Sequence, residues 1–360
     1  MRRTRALFAA GLIIASCLAA PAAIPWLRGA GSLPESLTDQ EFWNLSSDLS
    51  EPDGWFRSDN LLSNELGFPF IVTELTKSPP AAARVYMGVG PEQNFNYIAA
   101  LEPKMAFIVD IRRGNLELHL MYKALFDLSA DRAEFVSRLF SRRRPLNALS
   151  TPEQIFAAFS NIEKSEVLYA ENLKAIAADL VEKHHFALQS EELESIAAIY
   201  EAFYTFGPDI RYSSNQRGGF GGYNQPSYAE LMTAADADGR PRSYLATEQS
   251  FQVLRQLEEK NLLVPVVGNF GGMKAIRAVG RYLKDHGTVV SVFYLSNVEM
   301  YLHQQNLWDD FCRNTATLPL DGESSFIRSS RGPGSFGRGF GLGLSLGQMA
   351  SEVKDCRTDR

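Results

Sequence analysis

Two near-continuous apolar runs, 83–90 (ARVYMGVG) and 104–111 (KMAFIVDI), flank a stretch, 93–101, whose apolar positions recur at helical spacing. Short runs without polar alternation are strands buried on both faces, as inside a parallel sheet, so the pattern predicts a βαβ unit over 83–111. The rhythm returns later as helix 247–260, strand 262–268, helix 273–285 and strand 288–295. Between these blocks the periodicity is helical: 116–126, 130–140, a helix opening at Thr151-Pro152, 164–184 and 190–203. A hydroxyl followed by proline at the first helical position is a helix start. The predicted class is α/β, a mostly parallel sheet flanked by helices, with a helical insertion over 127–245 after the second strand.

Outside these blocks the pattern weakens. Residues 32–82 alternate polar turns with Trp43, Trp55 and Phe56 and read as an arm or lid, with a short helix over 58–66. Residues 207–224 form a polar, glycine-rich loop, and 315–319 with 324–329 suggest a closing hairpin. Seven glycines fall between 331 and 347, and 331–360 is expected to be a flexible tail. Within it, 332–337 matches G-x-G-x-x-G, but no strand leads into it, so the match is rejected.

Composition narrows the function classes. Of 360 residues, 45% are hydrophobic and 22% charged, an ordinary globular balance. With 36 basic against 42 acidic side chains the net charge is -6, which argues against a nucleic acid partner. Five histidines and three cysteines leave little material for a metal centre, and none is expected. No serine-histidine-acid elbow, Walker loop, CxxC pair or HExxH helix is present.

Arg2, Arg3 and Arg5 precede an apolar run over 6–23, the charged and hydrophobic regions of an export signal. Residues 1–31 therefore read as a signal peptide or membrane anchor, and the protein as exported, periplasmic or extracellular. Three fates stay open: cleavage near Ala20, Ala22 and Ala23, lipidation at Cys17, or an uncleaved anchor that would be the chain's one membrane contact. In an oxidising compartment Cys312 and Cys356 pair if the fold brings them together; two unrelated thiols are the alternative.

Candidate chemistry gathers at the predicted strand ends. Gly88 and Gly90 stand at the end of one strand and Asp110 at the end of the next, twenty residues beyond Gly90. Glycine lets a ligand approach the backbone, and a carboxylate on the neighbouring tip accepts hydrogen bonds from ribose hydroxyls. The alternative is a tight turn beside an aspartate that caps a helix or pairs with Arg112 or Arg113. Asn115, His119 and Lys123 are spaced by four on the following helix and share a face suited to an anionic or polar substrate; an interior histidine is the alternative. Glu92 sits at a helix start, Asn60 and Asn64 lie four apart in the arm, and Arg211 and Tyr212 open the central loop. Asn269 follows the later strand 262–268, and Tyr294 and Asn297 the last.

The glycine turn and Asp110, with Val266-Val267-Gly268-Asn269-Phe270, resemble the class I S-adenosylmethionine-dependent methyltransferases, in an uncharacterised bacterial branch. The resemblance covers 83–111 and, more loosely, 262–295. It implies a Rossmann-like sheet over 83–330 and S-adenosylmethionine as cofactor, held by Gly88, Gly90, Glu92, Asp110, Arg112 and Asn269. Asn60, Asn64, Asn115, His119, Arg211 and Tyr212 are the expected substrate-side residues, and no catalytic residue is assigned. Two functions follow: a methyltransferase-like protein that binds S-adenosylmethionine or a related nucleoside ligand, or an exported, non-catalytic binding or accessory protein on the same scaffold.

Overall fold

The computed structural model describes residues 31–77, 84–147, 149–213, 225–330 and 343–357. In chain order these form α1 (Asp39–Leu49), α2 (Phe68–Lys77), β1 (Val85–Gly88), α3 (Gln93–Leu101), β2 (Met105–Asp110) and α4 (Arg113–Asp127). The insertion holds α5 (Arg132–Phe140), α6 (Pro152–Ser160), α7 (Glu166–Ala178), α8 (Ser190–Phe206) and α9 (Tyr228–Met232), and α10 (Glu248–Glu259) follows it. Then come β3 (Leu263–Val267), α11 (Ala275–Asp285), β4 (Val290–Ser296), α12 (Val298–Gln304), α13 (Trp308–Ala316), β5 (Ser325–Ser330), β6 (Gly343–Gln348) and α14 (Met349–Glu352).

The six strands make one sheet in the order β3-β2-β1-β4-β5-β6, parallel except for β6. This is a Rossmann-like sheet. Every residue of β1, β2 and β3 is buried, which explains their unbroken apolar runs. The β1–α3–β2 connection steps one way along the sheet and β3–α11–β4 steps back, so the right-handed rule for parallel crossovers puts these helices on opposite faces. The order reverses between β1 and β4, the position where open α/β sheets bind ligands at the carboxyl ends of their strands.

The helical insertion shares the sheet's core. Phe95 of α3 meets Tyr122 of α4 at 5.1 Å and Tyr244 at 5.3 Å, and Phe126 stacks on Phe135 of α5 at 4.7 Å. Hydroxyl and carboxylate caps set the helix starts: Thr151 accepts from Gln154 N ahead of Pro152, Ser165 from Leu168 N and Asp131 from Glu134 N. A charged joint ties α1 to the insertion. The His184 ring bridges Asp39 Oδ1 and Asp127 Oδ2, each at 2.7 Å, and Lys183 Nζ reaches Asp127 and Asp179 at 3.1 and 2.9 Å. Lys183, the protonated His184 and Lys123, 3.7 Å from Asp127, balance these carboxylates, so the cluster of Asp127, Asp179 and His184 is an ion-pair knot.

Three sequence expectations are corrected. Residues 58–66 form no helix: Leu61, Leu62, Ser63 and Glu65 are all buried, which a single helix face does not allow, and Asn60 is left-handed at φ 45°. The expected hairpin is absent, because Thr315 and Ala316 belong to α13 and β5 lies between β4 and β6. Residues 343–357 of the expected tail are ordered: β6 closes the sheet, and Cys356 is disulfide-bonded to Cys312 of α13, their Cα atoms 5.4 Å apart. Residues 331–342 lie outside the described residues, as do 1–30 of the expected signal peptide or anchor, 1–31, and most of the central loop, 214–224. Among the described residues no helix is long and apolar enough to cross a membrane.

Buried titratable groups give the fold a direction of pH dependence. Burial pushes the carboxyls of Glu92 and Glu258 up to about 8. Burial opposes protonation of His184, but its bonds to Asp127, Asp179 and Asp39 outweigh that and raise it to about 9. Between the unfolded values, about 4.3 for glutamate and 6.5 for histidine, and these folded values, the native state holds protons that the unfolded chain has released, so stability falls as pH rises. Burial lowers His119 to about 4, and its contribution falls the other way, as pH drops from about 6.5. Thermal melts should therefore decline most steeply between about pH 6.5 and 8, where Glu92, Glu258 and His184 act together. A melting temperature that is flat or rising across that interval contradicts this account, and Glu258→Gln should shallow the slope.

Candidate ligand cleft

The segment linking α1 to α2 crosses the carboxyl edge of the sheet and is bonded to one strand tip after another. At β3, Glu51 N donates to Val267 O, and the Glu51 carboxylate accepts from Asn269 N, Lys274 N and Ala275 N at 2.8–2.9 Å, capping α11. Beside β2, Gly54 N donates to Ile111 O, Asp53 accepts from Arg113 N at the start of α4, and Asp59 O accepts from Arg112. After β1, Ser63 N donates to the buried Glu92 carboxylate at 3.1 and 3.2 Å. At β4 and β5, Glu65 accepts from Tyr294, Ser296 and Ser329. Burial raises the Glu65 carboxyl in spite of these three hydroxyls.

Beneath this arm the tips of β1 to β4 open into one cleft of about 910 Å³, its open mouth included. Gly90 and Pro91 come from the β1 turn, Asp110 and Arg112 from β2, Gly268, Asn269 and Phe270 from β3, and Tyr294, Ser296 and Asn297 from β4. The arm adds Trp55, Phe56, Asn60 and Asn64; the insertion adds Tyr212, and α12 adds Tyr301 and Gln305. The lining is mainly rings and amides, with a buried ion pair at the β2 tip.

That pair is tight. Asp110 Oδ1 accepts from Arg112 N at 2.9 Å and Nε at 3.0 Å, and Oδ2 accepts from Nη2 at 3.0 Å. Burial opposes the guanidinium's charge, but Asp110 outweighs it and holds Arg112 above its ordinary value. Burial, with Tyr301 nearby, pushes the neighbouring Tyr212 phenol up. The β1 turn is built from behind: Asn94 Nδ2 donates to the carbonyls of Val89, Gly90 and Pro91 at 2.7–3.1 Å, Tyr86 donates to Asn94 Oδ1, and His119 Nε2 lies 2.9 Å from Gly90 O.

Of the residues singled out in the sequence, Gly90, Asp110, Arg112, Asn269, Asn60, Asn64 and Tyr212 meet at this cleft. Gly88, Glu92, Asn115, His119 and Arg211 do not line it. A side chain at Gly88 would collide with Asn94 Oδ1, so that glycine serves the buried amide. Glu92 faces the arm backbone; Asn115 is buried. The face shared by His119 and Lys123 points inward, to Gly90 O and to Glu258 O, because α4 is buried nearly all round. Arg211 bonds to Gln225 O, with Glu230 3.6 Å away. Tyr301 and Gln305 were missed because α12 was; the apolar spacing of Val298 and Leu302 is its sequence signal.

The two turn glycines should respond differently to alanine. Gly90 has open space around a would-be Cβ but sits at φ 76°, a strain of about 1–3 kcal/mol for another residue. Gly88→Ala displaces Asn94 and frees buried carbonyls, an overpacking and hydrogen-bond loss of about 2–4 kcal/mol. Urea denaturation should rank Gly88→Ala as the more damaging; the reverse order would contradict the role given to Asn94.

The molecule is thus a Rossmann-like α/β protein with an arm-covered cleft at the point where its strand order reverses. The chain belongs to the family described as a domain of unknown function (DUF7790), which matches residues 62–339. No curated protein matches it. Among solved structures it is similar to the rRNA methyltransferase aviRa from Streptomyces viridochromogenes, at 11% identity and a TM-score of 0.34, with 87% of this chain and 96% of that chain covered. At that score the fold assignment rests on strand order and direction.

Proposed function

We infer that this chain binds S-adenosylmethionine or a related nucleoside ligand in the arm-covered cleft, on a methyltransferase-like scaffold. One observation carries the reading: the carboxyl ends of β1, β2, β3 and β4 open together into a single cleft at the switch point, with Gly90 and the Asp110–Arg112 pair on its wall. Ligand hydroxyls would donate to the lone pairs of Asp110 that Arg112 leaves free. Asn269 and Asn64 would supply further polar contacts, and the rings would enclose an apolar base.

A second reading, an exported binding or accessory protein without catalysis, has its own support. The Cys312–Cys356 disulfide fits an oxidising compartment, as the arginine-led apolar segment at the amino terminus does. Such a protein meets little of a cytoplasmic cofactor. In this reading the fold keeps the cleft and not the reaction.

Calorimetry with S-adenosylmethionine and S-adenosylhomocysteine tests the first reading. Saturable one-to-one binding that Gly90→Val weakens is the expected result. No heat of binding at millimolar ligand removes S-adenosylmethionine from the reading.

A further inference from the structure

Asn60 carries two local costs at the wall of the cleft. Its side-chain oxygen is buried with no hydrogen-bond partner, and an unpaired buried acceptor costs about 1–3 kcal/mol. Its backbone is left-handed at φ 45°, a conformation asparagine tolerates better than most residues. Costs of this kind on a cleft-lining residue are those a bound ligand offsets. Asn60 lines the cleft, and the amide's last torsion is broad, so its oxygen is free to reorient toward a ligand. Trp55 lines the same cleft yet is 83% exposed, a large ring with little protein packed on it. Phe56 and Tyr301, by contrast, already hold each other edge to face at 5.1 Å.

Resting on the nucleoside reading above, we propose that the arm reads the ligand's base: Asn60 accepts a hydrogen bond from an amino group on a flat heteroaromatic ring, and Trp55 stacks on that ring. The strand tips hold the sugar end, and the arm decides which base is accepted. A ligand without the amino group leaves the Asn60 oxygen unpaired, as it is in the free protein, and binds more weakly by the bond it does not make.

The test uses the full chain and two probes, adenosine and purine riboside, which differ by the exocyclic amine. The native protein should bind adenosine about tenfold more tightly, the value of one well-made hydrogen bond. Asn60→Gly, which accepts the same φ without strain, should abolish that preference, weakening adenosine more than purine riboside. Asn60→Asp keeps an acceptor and should retain the preference. Trp55→Ala, at an exposed position, should weaken both probes by a similar factor, at least about fivefold. A preference that survives Asn60→Gly, or that Asn60→Asp also abolishes, overturns the role given to Asn60. Equal binding of both probes to the native protein does the same. Failure of the native protein to bind either probe overturns the nucleoside reading itself, and this proposal with it.

Discussion

Asp110→Ala should destabilise the protein by about 3–5 kcal/mol, the cost of leaving a buried guanidinium without its partner. Arg112 is only 8% exposed and makes three of its bonds to Asp110; after the substitution the Asp59 carbonyl remains. The effect would be read by urea denaturation. Removing the charge as well, in Asp110→Ala with Arg112→Met, should recover much of the loss, because two apolar groups replace a buried pair without an orphaned charge. A single substitution costing under about 1 kcal/mol would show the guanidinium finding water, and the ion pair would lose its place as the floor of the cleft. Asp110 is therefore a poor position for a simple deletion test of binding: lost affinity there mixes lost contacts with lost structure.

The second large effect is expected on reducing the Cys312–Cys356 disulfide, or in the double serine variant. The bond closes a loop of 44 residues in sequence separation, for which chain entropy alone gives roughly 4 kcal/mol. The loss should be local before it is global. Cys356 follows β6, the strand that covers the edge of β5, and β5 presents Ser329 to the arm's Glu65. Amide exchange should accelerate first at 343–357 and then at 62–66, with the sheet centre unchanged. Uniform acceleration, or none, would mean that the bond does not hold β6 in place.

The second effect arises where distant segments meet, and such meetings set the limit of what the chain pattern reveals. The strands β1 to β4 were legible because burial on both faces forces unbroken apolar runs. Helix starts such as Thr151-Pro152 were legible because caps are local hydrogen bonds. Gly90, Asp110 and Asn269 were legible as site candidates because ligand clefts of open α/β sheets lie at strand ends. His119 was not, since four-residue spacing defines a helix face but not what that face meets. The arm was least legible: its bonds run from Glu51, Asp53, Ser63 and Glu65 to partners far along the chain, and no periodicity records them.

The sequence by itself determined a parallel α/β body, the segments that build it and the strand ends where chemistry collects, because each follows from local burial and hydrogen bonding. Only the tertiary structure decided that the arm spans the strand tips, that α12 joins the cleft wall and that the carboxyl-terminal segment closes the sheet. Each of these joins residues whose pairing depends on how the whole sheet is ordered, and short stretches of chain carry no trace of that order.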